Sequence, residues 1–123
     1  MADAVEPVDV ADKFALFSEH WRPKTIAELN GQELKAVKIK GEFPWHHHDV
    51  DEMFFAWRGT FRLEFRDRSV EMRPGQLIVI PAGIEHRPVA EEEAEIFLLE
   101  PIGTRNTGNL EDATYTAPDR VRI

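Results

Sequence analysis

The sequence predicts an all-β domain, a sandwich or barrel of six or seven short strands. Three observations carry this expectation. Turn signals recur about every 8–12 positions, and no stretch after Lys24 sustains a helical apolar period. In addition, Asn30-Gly31 joins two strand-like runs, a strong hairpin signal because both turn residues must reach positive φ. In chain order, residues 1–10 are small, acidic and aperiodic and read as a loose leader, and Asp12 to Phe17 reads as one helical turn or a short strand. Thr25 to Leu29 and Glu33 to Lys40 are the arms of the predicted hairpin, and Leu34 is out of phase with Val37 and Ile39. Glu52 to Trp57 is a strand, and Phe61 to Arg66 alternates apolar and charged residues without interruption. Val70 to Met72 reads as a short edge, Leu77 to Ile80 as a strand buried on both faces, Glu91 to Glu93 as an acidic solvated turn, and Ala94 to Glu100 as the last clear strand. The polar tail from Gly103 has little pattern, though Val121 and Ile123 suit a terminal strand.

Composition narrows the partners. The chain has 123 residues, the size of one ordinary domain, and acidic residues outnumber basic ones 23 to 15 for a net charge of −8. That charge disfavours phosphate backbones and anionic lipid, so no nucleic acid and no membrane is expected as a partner. Zero cysteine removes disulfides, thiolate metal sites and Cys nucleophiles. No apolar stretch approaches the roughly 20 residues that span a bilayer, and the first residues lack a basic and then apolar leader, so a cytoplasmic location is expected. There is no G-x-S-x-G, no P-loop and no dinucleotide fingerprint.

The histidines say more. Three are consecutive, His46, His47 and His48, and His86 follows in Pro81-Ala82-Gly83-Ile84-Glu85-His86, while His20 stands alone and reads as a surface or packing residue. In a strand His46 and His48 share a face, about 6–7 Å apart at the backbone, and His47 points away. Glu52 would lie about 20 Å from His46 on a straight strand, so a turn at Asp49-Val50-Asp51 is needed to fold it back. His86 must come from another strand. Three imidazoles and one carboxylate suit Fe, Mn, Zn, Ni or Cu and do not choose among them. Four ligands on an octahedral ion leave two open positions, whereas four on tetrahedral zinc would close the site.

These residues resemble the motifs of the cupin superfamily. The first motif is a glycine, a His-x-His pair, a Glu and a later Gly, met here by Gly41, His46, His48, Glu52 and Gly59. The second is Gly, five residues, Pro-x-Gly, two residues and His, met by Gly75, Pro81, Gly83 and His86. The likeness spans about residues 32–100. Gly41 stands one residue nearer the histidine pair than the family usually has it, and Ala90 stands where the family often has Asn. The resemblance implies a double-stranded β-helix (jelly-roll barrel) with a short N-terminal extension: one cupin domain over 1–123, with extension 1–17, barrel about 24–101 and tail 102–123. It implies one divalent transition metal held by His46, His48, Glu52 and His86.

Fold alone does not name a reaction, and no general base is identifiable. The expected function is a divalent-metal-dependent enzyme, of oxygenase or isomerase type, acting on a small organic molecule. The alternative is a non-catalytic metal-containing or small-molecule-binding cupin acting as a sensor. Phe54, Phe61, Leu63 and Phe65 are expected to fill the barrel, with one or two forming an apolar wall near the metal. A homodimer is expected, because exposed sheet edges are commonly covered by a second copy or a tail, and the chain ends are where such cover would lie.

Overall fold

The structure is a computed structural model that describes residues 5–118 and 120–123. The start of the predicted leader, residues 1–4, lies outside the described residues. A short helix, α1 (Val10–Phe14), is capped by the Asp9 side chain, which accepts from the Asp12 backbone N–H at 3.0 Å. Seven strands follow: β1 (Lys24–Leu29), β2 (Gln32–Glu42), β3 (Glu52–Arg58), β4 (Phe61–Phe65), β5 (Ser69–Met72), β6 (Leu77–Ile80) and β7 (His86–Pro101). All pairings are antiparallel, in the order β1-β2-β7-β3-β6, with β4 bridging β7 and β5. This is the all-β jelly roll expected from the sequence, though its sheet does not close into a continuous hydrogen-bonded barrel. Among the described residues β6 pairs only with β3 and β5 only with β4.

The Asn30-Gly31 hairpin forms as predicted, with φ of 52° and 77° at the two turn residues, and β1 and β2 run on either side. Leu34 is not an error of phase. It lies on the outer face with Ala36, where both pack in a cluster with Phe14, Ile26 and Phe97. The main core lies on the other face, where Val37 and Ile39 meet Phe54, Phe61, Leu63, Ile96 and Leu98. Of the four side chains expected inside, Phe54, Phe61 and Leu63 are buried and Phe65 packs half-buried against them.

Two expectations are corrected. Glu91 to Glu93 is not a turn but lies within the 16-residue β7. The first half of β7 pairs with β4 and its second half with β3, and its register with β2 shifts between Ile39 and Gly41. Such irregularities bend a strand, so one long strand serves both layers of the jelly roll. The exposed acids are matched from outside: Glu91 by Arg62, and Glu93 by His20 at 2.8 Å. The second correction concerns β6, which is an edge strand rather than one buried on both faces. Ile80 is buried, but Leu77 and Val79 are 57% and 54% exposed on its outer side.

The chain ends are tied to the sheet. Thr25 donates its backbone N–H to the Val121 carbonyl and accepts from Ile123, so the predicted terminal strand amounts to one bridge beside β1. No helix among the described residues is long and apolar enough to cross a membrane.

Candidate metal centre

His46 and His86 are opposed in an isolated antiparallel bridge, each backbone N–H donating to the other's carbonyl at 3.0 and 2.9 Å. This pairing brings a residue of the second motif onto the first. His48 lies two residues on, on the same side as His46, with its imidazole centroid 4.9 Å away. The required reversal occurs at residues 49–51. There the Asp51 carboxylate accepts from the Ala82 N–H at 2.9 Å and the His48 carbonyl accepts from Gly83 at 2.8 Å, tying the two motif loops together. Glu52 then opens β3 facing inward, in phase with Phe54 and Ala56.

The four side chains are 1–5% exposed, and one ligand atom from each lies within 4.8 Å of the others. His46 and His86 each place Nδ1 against a backbone carbonyl, of Pro44 at 2.9 Å and Ile84 at 2.8 Å. With Nδ1 as donor, the Nε2 lone pair is left to face the centre. Nε2 of His48 and Nε2 of His86 lie 3.3 Å from the two oxygens of Glu52, yet both nitrogens and Glu52 Oε1 lack a hydrogen-bond partner. Buried polar atoms left unpaired in this way are costly unless something else satisfies them. Three imidazole nitrogens and a carboxylate oxygen at this spacing fit one divalent transition-metal ion. His47 points away, as its parity requires; its backbone N–H donates to Asn109 Oδ1 and its carbonyl accepts from the Asn109 N–H, both at 2.9 Å.

Electrostatics sharpen the picture. Burial, then the neighbouring charge of His86, lowers the His46 pKa to about 4, so this imidazole is neutral and able to ligate at neutral pH. Burial alone would raise Glu52, but the imidazoles of His48 and His86 outweigh it and hold the carboxyl well below the usual range. Behind it, burial and the Glu52 carboxylate raise Glu100 well above that range. A stability test follows for His46. As pH falls from about 6.5 towards 4, unfolded His46 takes up a proton that the folded side chain resists. The metal-free protein should therefore lose up to roughly 3 kcal/mol across that window from this group. Urea midpoints of EDTA-treated protein between pH 7 and pH 4 measure the loss. His46→Phe should flatten the slope, and an unchanged slope would contradict the assignment.

The sequence pointed to the chain ends as cover for sheet edges, but not to the tail as cover for the histidine pair. Gly108 lies so close that a Cβ there would collide with the His47 carbonyl oxygen and press on the His48 ring, so only glycine lets the tail lie across the pair. Asn106 donates to the Tyr115 carbonyl at 2.8 Å and accepts from the Ala117 N–H, while the Tyr115 ring meets Phe43 and Trp21. Asn106, Phe43 and Trp21 line a cavity of about 30 Å³ beside His46 and Glu52, otherwise walled by apolar side chains such as Val37, Ile39, Phe54 and Leu98. It has room for a water or a diatomic molecule. Nothing in the tail's weak pattern signalled this role.

Fold and site together define a jelly-roll protein with a buried three-histidine, one-glutamate centre. The match to the cupin domain model covers residues 34–100, and the chain belongs to that family. It is similar to the uncharacterized protein YdbB of Bacillus subtilis, 32% identical over 81 residues, which are 64% of this chain and 66% of that protein. It is similar also to acireductone dioxygenase 2 of Arabidopsis thaliana, 33% identical over 78 residues, which are 55% of this chain and only 41% of the dioxygenase. Among solved structures, a cupin-2 domain protein of Shewanella frigidimarina superposes with a TM-score of 0.76 at 46% identity, covering 76% of this chain and 93% of that one.

Proposed function

We propose that His46, His48, Glu52 and His86 hold one divalent transition metal, and that the protein is a metal-dependent oxygenase acting on a small organic molecule. The observation that carries this is the convergence of four buried ligand atoms, three of them without a hydrogen-bond partner. The partial similarity to acireductone dioxygenase supports oxygenase over isomerase chemistry. A metal bound there supplies Lewis acidity and open coordination positions. The chain's own residues do the rest. The Pro44 and Ile84 carbonyls orient two of the imidazoles, and the apolar walls around Phe54 and Leu98 keep bulk water out. The test is dioxygen uptake by Fe(II)-loaded protein across a panel of enediols, diketones, phenols and thiols. Uptake with any of these supports the oxygenase. Silence across the panel with metal in place favours the alternative, a non-catalytic metal-containing or small-molecule-binding cupin acting as a sensor.

The same reading takes the chain as one cupin domain, with residues 24–101 as its body, that works as a cytoplasmic homodimer. The outer face of β6 and β3 offers the contact: exposed Leu77 and Val79 lie opposite half-buried Phe55 and Met53. Exposed apolar side chains grouped in this way mark interaction surfaces, and a twofold contact lets the patch cover itself. Light scattering after gel filtration should give a dimer, and Leu77→Lys with Val79→Lys should give a monomer. A monomeric parent protein would refute this assembly.

A further inference from the structure

We propose that the recess beneath the C-terminal tail is an anion-binding pocket that takes the carboxylate or phosphate end of a small molecule. The recess encloses about 240 Å³, and three basic side chains, Lys35, Arg105 and Arg120, line it with Thr25, Thr104 and Asn106. No acidic side chain is among the described residues lining it, in a chain whose net charge is −8. Glu28 and Glu33 pair with Arg120, and Glu100 with Lys35, so Arg105 carries the positive charge that is not paired with an acid among the described residues of this recess.

The donors are available. Lys35 is 4% exposed, and its ammonium donates to Glu100 Oε1 at 2.9 Å and the Thr104 carbonyl at 3.1 Å. Glu33 Oε2, at 3.8 Å, is too far to accept a hydrogen bond, so one of the three ammonium donors is uncommitted. Arg105 uses only Nε, towards the Gly108 carbonyl at 3.1 Å, which leaves both terminal amino groups without a partner among the described residues. Arg120 is braced from behind by Glu28 and Glu33. A guanidinium with a free planar edge suits bidentate carboxylate or phosphate, whereas the Thr25 and Thr104 hydroxyls already donate to Glu33 Oε1 and the Pro101 carbonyl.

The recess also has a defined relation to the metal centre. Pro23 and Asn106 belong to its wall and to the wall of the inner cavity beside His46 and Glu52. Asn106 stands between the two spaces, and the anion pocket does not rest on the metal-enzyme reading.

Isothermal titration of the full chain with sodium phosphate and, separately, sodium malonate in low-salt buffer tests the pocket. One saturable site is expected, with the tighter anion identifying phosphate or carboxylate chemistry. Arg105→Gln should weaken binding at least about tenfold without altering metal content, and Arg120→Gln should act in the same direction. Arg73→Gln, at an exposed pair with Glu71 outside the recess, should leave it unchanged. EDTA-treated protein and His86→Ala should still bind the anion, so failure of the metal centre is distinguishable from failure of the pocket. No saturation with either anion, or equal affinity in Arg105→Gln, would overturn the proposal.

Discussion

His86→Ala should strip the protein of its metal. Parent protein purified without a nickel column should carry about one transition-metal ion per chain by elemental analysis, and the variant close to none. Loss of a partner that merely orients a ligand costs 10–100-fold in affinity, so loss of the ligand itself should exceed roughly 100-fold. The location of His86 makes the test clean. Its backbone bridge to His46 is made by main-chain atoms, which the substitution leaves in place, so the two motifs should remain joined. His86→Gln, which keeps more of the side-chain volume, should also lose metal and controls for the void. Circular dichroism like that of the parent, together with undiminished metal, would remove His86 from the site and leave too few imidazoles to define it.

Lys35→Met should destabilise the fold by about 3–5 kcal/mol, because it strips buried Glu100 of its cation and leaves buried Glu33 with Arg120 alone. Glu33 and Glu100 are fully buried neighbours across β2 and β7, and Lys35 Nζ lies between them at 3.8 and 2.9 Å. The Thr25 hydroxyl at 2.8 Å and the Gly103 N–H at 3.2 Å satisfy Glu33 further, but Glu100 Oε2 has no hydrogen-bond partner among the described residues. Urea denaturation at neutral pH measures the loss. Adding Glu100→Gln to Lys35→Met should recover a substantial part of it, since the carboxylate that Lys35 contacts most closely is then gone. A loss below about 1 kcal/mol would show that this buried cluster does not hold the β2–β7 seam.

Much of the site was legible before any coordinates. The spacing of His46 and His48 put them on one side, the distance to Glu52 demanded a reversal, and the second motif supplied His86. The structure brings all four together. The buried Glu33, Lys35 and Glu100 were less well read, because charged residues in an alternating strand are ordinarily its wet face. Yet parity pointed inward: Glu33 and Lys35 are in phase with Val37 and Ile39, and Glu100 with Ile96 and Leu98. The same habit made Glu91 to Glu93 look like a turn. β6 failed in the opposite direction, since four apolar residues in a row do not reveal whether a neighbour covers them.

The sequence by itself determined the all-β class, the Asn30-Gly31 hairpin and the metal-capable residue set, because each depends on local geometry: the two-residue period of a strand, positive φ in a tight turn and the reach of a side chain. Only the tertiary structure decided that β7 passes through both layers, that β6 is left at an edge, and that the tail lies over His48 and shapes a basic recess. Those features depend on contacts between residues far apart in the chain, such as Gly108 against His47 and the Asn109 N–H bonded to the His47 carbonyl, and local pattern carries no information about which distant segments meet.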